Sequence, residues 1–309
     1  MNTSQLSEFI KSNAKKIGFF DCGISKAQRL EEDEARMEAW LKKGMHGTMS
    51  YLEKNKSKRY DPVKLVEGAK SVITVLYNYF PDQKLPEKDS YRISKYACGK
   101  DYHFVVKKKL ALLLSAIEDE IGEREARLFV DSAPVLDRAW ARESGLGFIG
   151  KNTMLINRKG GSFFFIGHII CDLELAYDET NYKNYCGTCT KCIDACPTQA
   201  IEAFRVDARK CISYLTIENR DEIPEKYQDN FNNWIFGCDI CQDVCPWNKF
   251  AKPHHEPLFN PSDNLINMEK NNWEQLEKPV FNSLFRHSAV QRTGFKGLKR
   301  NIKFVSEKS

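Results

Sequence analysis

Eight cysteines fall within a stretch of 60 residues: Cys186, Cys189, Cys192, Cys196, Cys211, Cys238, Cys241 and Cys245. The first four form the run Cys186-x2-Cys189-x2-Cys192-x3-Cys196-Pro197, the bacterial spacing for a 4Fe–4S cluster. A cubane needs four thiolates converging from different directions. Two-residue spacers let a tight loop aim successive sulfurs inward, and the three-residue step with its proline turns the chain away. Cys-x2-Cys pairs also bind zinc, the competing reading, but one continuous loop of four cysteines is poor tetrahedral geometry. A second run, Cys238-x2-Cys241-x3-Cys245-Pro246, has the same ending, with Ile235 in the slot of the leading cysteine. Two cubanes need eight thiolates and the runs supply seven, so Cys211, between them, is the candidate for the eighth. In proteins with two such clusters, the fourth cysteine of each run serves the other cluster. That exchange predicts Cys186, Cys189, Cys192 and Cys245 around one cluster. Cys196, Cys211, Cys238 and Cys241 then surround the other. The remaining three, Cys22, Cys98 and Cys171, read as buried apolar cysteines.

Two neighbouring clusters conduct electrons and do no organic chemistry alone. The preceding 180 residues are too many for a scaffold and should hold the reducible substrate or a further cofactor. The whole chain is 309 residues, 42% hydrophobic and 29% charged, which suits one large or two modest domains with a real core. Its longer apolar runs, such as Leu110–Ile117, fall far short of the roughly 18 to 20 residues of a membrane span. The N-terminal MNTSQLSEFIKSNAKK lacks a hydrophobic signal core, so a cytoplasmic, reducing location is expected. There, clustered cysteines point to metal or redox use and not to disulfides. Lys and Arg exceed Asp and Glu by 47 − 42 = 5. Seven basic residues (Arg286, Arg292, Lys296, Lys299, Arg300, Lys303, Lys308) against Glu307 alone place that excess in the last 24 positions.

Residues 1–180 alternate helix-like and strand-like segments. Helical periods run over Gln5–Ile17, Glu31–Lys43 (ended by Gly44) and Phe104–Ile121 (followed by Gly122). Ser71–Phe80, Ala126–Val130 and Phe163–Cys171 read as strands. Pro134–Ser144 is predicted helical with Asp131 or Ser132 near its start. Asp131 therefore has two readings, an active-site carboxylate at a strand end or, favoured on the residues alone, a helix N-cap. Gly145–Lys151 is glycine-rich but matches no nucleotide-binding loop. His103, at a helix start, reads as structural before it reads as a ligand. Residues 251–309 open with Pro253, Pro257 and Pro261 and end in a helix-like piece.

Together these pieces resemble the epoxyqueuosine reductases, iron–sulfur and cobalamin enzymes of queuosine tRNA modification. The matching stretches are Lys58-Arg59 with Pro62, Tyr96–His103 (YACGKDYH), Val130–Arg138 (VDSAPVLDR), Gly145–Asn152 (GLGFIGKN), both cysteine runs and Cys211–Thr216 (CISYLT). They follow the family's order over nearly the whole chain. The resemblance implies a cobalamin against the N-terminal domain, close to one cluster and supplied with single electrons by the clusters. It implies reduction of the epoxide-bearing ring of epoxyqueuosine at the tRNA wobble position to the alkene of queuosine. Asp131 is then the proton donor to the departing oxygen, with a pKa raised by burial. Carried over by position, the cobalamin contacts are Arg59, Ser94, Asp131, Leu155, Ile166, Ser213, Cys241 and Gln242. Ile217 and Glu218 occupy positions that approach the tRNA in relatives. No Asp-x-His-x-x-Gly motif is present, since Val106 stands where its glycine would be, so a histidine-ligated cobalt is not expected. Many members have tryptophan where Cys98 stands. Longer members carry a C-terminal helical-repeat extension beyond the end of this chain, and the basic tail could replace part of its grip by neutralising phosphates.

The expected fold is α+β. A cobalamin-binding α/β-type domain spans 1–180, a ferredoxin-like module with two 4Fe–4S clusters spans 181–250, and a basic segment, 251–309, packs on the core. Expected partners are tRNA carrying epoxyqueuosine and an external low-potential electron donor, with no membrane and a monomeric chain. Two other readings compete: a corrinoid reductive dehalogenase, and a plain two-cluster electron carrier.

Overall fold

The most apolar run makes the central strand. Ser71–Asn78 (SVITVLYN) is buried at seven of its eight positions because it pairs on both edges and is covered on both faces. In this computed structural model, which describes residues 1–83, 85–86, 88–180 and 182–307, it pairs antiparallel with Asp21–Lys26 and with Phe164–Cys171. The latter pairs in turn with Ala126–Phe129, which completes a four-stranded antiparallel sheet. Side chains alternate between faces. Ile73, Val75, Phe165 and Ile169 meet the Thr3–Ile17 and Tyr102–Ile121 helices through Leu6, Ile10, Val106, Leu110 and Leu113. Val72, Phe129 and Ile170 point the other way, onto Trp140 of the Asp137–Glu143 helix.

That last helix starts later than its sequence suggests. Leu136, not Asp131 or Ser132, stands at its N-cap, without a side-chain cap bond. Pro134 disfavours helical backbone at Ala133, and the start is set from across the sheet. Fully buried His168 places Nε2 3.2 Å from Asp137 Oδ1 and Nδ1 3.0 Å from Thr74 Oγ1. Residues 130–136 are thus a loop held at both ends by one strand position, because Phe129 is also registered against His168.

In the cysteine-rich part, two one-turn helices, Lys191–Asp194 and Ile240–Asp243, pack together and carry Cys192 and Cys241. The Trp234–Phe236 strand pairs parallel with Arg92–Ile93, tying this part to the N-terminal half. Gly237 follows at φ +69°, where a Cβ would lie 2.2 Å from Ser94 Oγ, so only glycine fits. The terminal Gly294–Ser306 helix buries Leu298, Ile302 and Val305 in a core shared with Ile212, Leu215, Trp234 and Phe236. Three basic residues of the C-terminal segment bond within the fold. Arg300 donates to the carbonyls of Leu215, Asn219 and Asp221, so its guanidinium caps the end of the Ile212–Ile217 helix and is not presented to a phosphate. Arg292 pairs with Glu218, and Lys299 Nζ donates to Glu274 O; Lys308 lies outside the described residues. Among the described residues, no helix is long and apolar enough to cross a membrane.

Asn301, fully buried, donates from Nδ2 to Thr216 O at 2.8 Å and Ile235 O at 2.9 Å. Asn301→Ala strands both acceptors and should destabilise the chain by about 2 kcal/mol, read as a lowered urea midpoint under anaerobic conditions. An unchanged midpoint would show that the terminal helix does not brace the Cys211 segment.

Candidate active site

The thiols sort by the neighbours they feel. Cys192 lies beside Cys186, Cys245 and Cys189, and Cys245 beside Cys186 and Cys189. Cys238 lies beside Cys211 and Cys196, and Cys241 beside Cys211 and Cys238. Cys241 also feels Cys192, so the two groups adjoin. None of the eight is in a disulfide. Among the described residues, no three His, Cys, Asp or Glu side chains converge as ligands of a single ion would. A cubane makes no such demand, since each thiolate binds a different iron. Cys22, Cys98 and Cys171 stand apart. Burial pushes the Cys22 and Cys98 thiols up to about 12 and that of Cys171 to about 11, which leaves them unreactive.

The glycine-rich stretch unassigned from sequence braces this centre. Lys151 Nζ donates to Gly187 O at 2.8 Å and Cys189 O at 3.0 Å, and Asn152 Nδ2 donates to Cys241 O at 3.2 Å. Gly147 makes the bend possible, because a Cβ there would lie 2.4 Å from Ile156 O.

Asp131 occupies the left-handed region at φ +52°, not the extended backbone usual at an N-cap. Tyr102 Oη donates to its Oδ2, and His103 Nε2 lies 3.5 Å from the same oxygen. His103 Nδ1 is 2.7 Å from Asp101 Oδ1. Tyr102 stacks between His103 and Phe165, with centroids 4.2 Å away on each side. The Asp131 side chain is 62% exposed, yet it sits in a concave setting whose walls partly strip its water. Burial alone would raise its carboxyl; His103 and Tyr102 outweigh that and hold it below the ordinary value. This corrects the expectation of a raised pKa. The proton of the pair resides on His103: burial pushes the imidazole down, but the Asp101 and Asp131 carboxylates more than compensate and raise it to about 9. A cavity of about 190 Å³ opens beside it, lined by Lys107, Arg127, Phe129 and Ser132.

The predicted contacts surround this carboxylate unevenly. Buried Arg59 gives Nη2 to Tyr51 O at 3.3 Å, while its Nε has no hydrogen-bond partner among the described residues. Tyr51 feels the charges of Glu218, Arg292, Asp131 and Arg59, so these groups lie in its neighbourhood. Arg292 donates twice to Glu218 at 2.9 Å and lies 5.7 Å from the Tyr51 ring. Ser213 is half-buried on the Ile212–Ile217 helix, two residues after Cys211. Leu155 is core beside Leu76 and Phe164, and Ile166 is half-buried against that cluster. Ser94 is buried with its hydroxyl on Asp239. The Gln242 amide is taken up by Ser162 and Tyr79, and Ile217 is buried in the core. The Tyr96 ring lies 6.1 Å from that of Tyr102, the partner of Asp131, and 6.2 Å from that of Phe236, two residues before Cys238, so it links the carboxylate's surroundings to the second cysteine run. Tyr51 escaped the sequence reading, His103 reads there as structural before it reads as a ligand, and neither Tyr102 nor Arg292 is assigned to the site. The one local signal was Asp101, whose side chain caps the Tyr102–Ile121 helix and so fixes where Tyr102 and His103 point.

Asp131→Asn removes one of two carboxylates that keep His103 charged. Its imidazole titration, followed by NMR, should fall from about 9 toward the ordinary 6.5 without reaching it, because Asp101 remains. An unmoved midpoint would break the pairing described above.

The chain matches two family models: a 4Fe-4S double cluster binding domain over residues 185–248, and Epoxyqueuosine reductase QueG, DUF1730, over residues 59–132. It is 54% identical over 307 residues to the epoxyqueuosine reductase of Cellulophaga algicola, covering 99% of this chain and 100% of that one. With the epoxyqueuosine reductase of Pseudomonas aeruginosa the identity is 41% over 305 residues, covering 97% and 84%. A crystal structure of epoxyqueuosine reductase with a tRNA-Tyr epoxyqueuosine-modified stem loop matches with a TM-score of 0.89 and 28% identity, over 98% of this chain and 81% of that one. By its cysteine runs, its fold and these likenesses along its whole length, the chain belongs to the epoxyqueuosine reductase family.

Proposed function

We propose that this chain reduces epoxyqueuosine to queuosine at the wobble position of tRNA. The observation that carries the reading is the juxtaposition of Asp131, Tyr102 and His103 in a cleft that adjoins the second group of thiols through Tyr96. The two thiol groups, Cys186, Cys189, Cys192 and Cys245, and Cys196, Cys211, Cys238 and Cys241, hold the two 4Fe–4S clusters. A cobalamin would rest in the cleft. The unpartnered Arg59 Nε suits an amide or phosphate acceptor, and half-buried Ile166 and Ser213 supply mixed apolar and polar walls. When bound, cobalamin supplies a strongly reducing, nucleophilic metal centre fed one electron at a time by the clusters.

The chain's own part is proton supply and positioning. Converting the epoxide to an alkene takes two electrons and two protons, and the oxygen leaves as water. An oxygen departing as alkoxide or hydroxide is a poor leaving group, so a proton at the right atom lowers the barrier. The proton held on His103 Nε2 passes by way of Asp131 Oδ2 to the departing oxygen, while Asp101 fixes the imidazole through Nδ1. Tyr102 orients the carboxylate. The substrate base reaches the cleft by leaving its stack, past Glu218 at the rim. Residues 1–180 serve the cobalamin, 181–250 the clusters, and 251–309 braces both. The enzyme works as a cytoplasmic monomer supplied by an external low-potential donor.

Asp131→Asn should keep iron and corrin content but lower turnover of epoxyqueuosine-containing tRNA by about 10²- to 10⁴-fold, measured by nucleoside analysis after anaerobic incubation. Turnover within threefold of the parent chain would remove Asp131 from this role. No queuosine formed by the parent chain with both cofactors loaded would overturn the function itself.

A further inference from the structure

The electrons must come from outside the chain, and one face is built to admit them. The loop joining Cys186 to Cys189 lies at the surface: Gly187 and Thr188 are exposed, and a Cβ added at Gly187 meets nothing within 4 Å. Aromatic rings border it. Tyr185 precedes Cys186 and Trp247 follows Cys245, with ring centroids 6.2 Å apart, and Trp247 reaches Phe250, itself 40% exposed, at 6.1 Å. Cations cover these rings. The Arg158 guanidinium lies 4.6 Å from the Tyr185 centroid and Lys249 Nζ 4.9 Å from that of Phe250. Lys183 and Lys191, both exposed, flank Cys186 and Cys192. The exposed acids here are engaged locally, Asp194 with Thr190 Oγ1 and Asp243 with Lys95.

We propose that this cationic aromatic face is the docking surface for an acidic one-electron carrier protein that uses a flavin or an iron–sulfur centre. The inference rests on the two-cluster reading above. Aromatic and arginine side chains suit the centre of a protein interface, and a ring of like charge steers an oppositely charged partner onto it. Each docking passes one electron: the carrier is oxidised by one electron and the cluster held by Cys186, Cys189, Cys192 and Cys245 is reduced by one. Two dockings supply the two electrons of a turnover. An RNA backbone is the rival occupant of a basic face. The carrier is favoured because this face surrounds the loop of the first thiol group, whereas Asp131 is linked through Tyr96 to the second run.

The test is stopped-flow bleaching of the cluster absorption in the full chain carrying clusters and cobalamin, which needs no substrate turnover. Arg158→Glu with Lys249→Glu should slow reduction by a reduced, acidic flavodoxin at low salt about tenfold or more, and should flatten its salt dependence. Reduction by dithionite, which needs no docking, should keep its rate and amplitude, and tRNA affinity should not change. An unaltered flavodoxin rate would overturn the proposal, and so would a loss of tRNA affinity matching the loss of rate, which would assign the face to RNA. If the charge-reversed chain fails to hold its clusters, Arg158→Gln with Lys249→Gln reads the same outcomes. Failure of the parent chain to form queuosine would strike the proposed reaction and leave this bleaching result standing.

Discussion

Two adjoining groups of four thiols, filled by runs that exchange their last members, constrain the rest of the structure. Cys245 stands with the first run and Cys196 with the second. Neither run can therefore be completed alone, and the segments must be fixed relative to one another before either group exists. Several otherwise unrelated features serve that end. Lys151 holds the carbonyls of the Cys186–Cys189 loop and Asn152 that of Cys241. Gly237 lets Ser94 approach the second run. The terminal helix braces the Cys211 segment through Arg300 and Asn301. Each of these bonds is worth only about 1 kcal/mol, but together they fix the cysteine-bearing segments relative to one another.

The carboxylate of the cleft depends on the other half of the molecule in a similar way. Its loop hangs from His168 at both ends, while its protonation is governed by a helix start on the opposite face, where Asp101 caps and His103 reaches across. An ionised Asp131 beside a charged His103 keeps the transferable proton on the imidazole, one step behind the carboxylate. The pair holds one transferable proton, and the second proton of the reaction enters from solvent.

Legibility in the sequence followed the range of the interactions. The cysteine spacing is a local covalent pattern, so the double-cluster module was readable. So were the strands at Ser71–Asn78 and Phe164–Cys171, whose β-branched and aromatic content matches their burial. The Asp131 loop was misread as a helix cap because Pro134 suggested a nearby start, whereas the true start is set by His168 from another strand. Charge can be counted along the basic tail, but nothing local reveals that Arg300 spends its donors on carbonyls of a packed helix. Tyr51, Tyr102, His103 and Arg292 come together only through tertiary structure, and no spacing announces them.

The exchange of cysteines is tested most directly by removing the ligand that belongs to neither run. Anaerobically reconstituted Cys211→Ala should lose the cluster of the second group and keep that of the first. By iron analysis and Mössbauer spectroscopy, it should hold about four irons per chain where the parent holds about eight. Retention of about eight irons, with two intact cubane signals, would contradict the account.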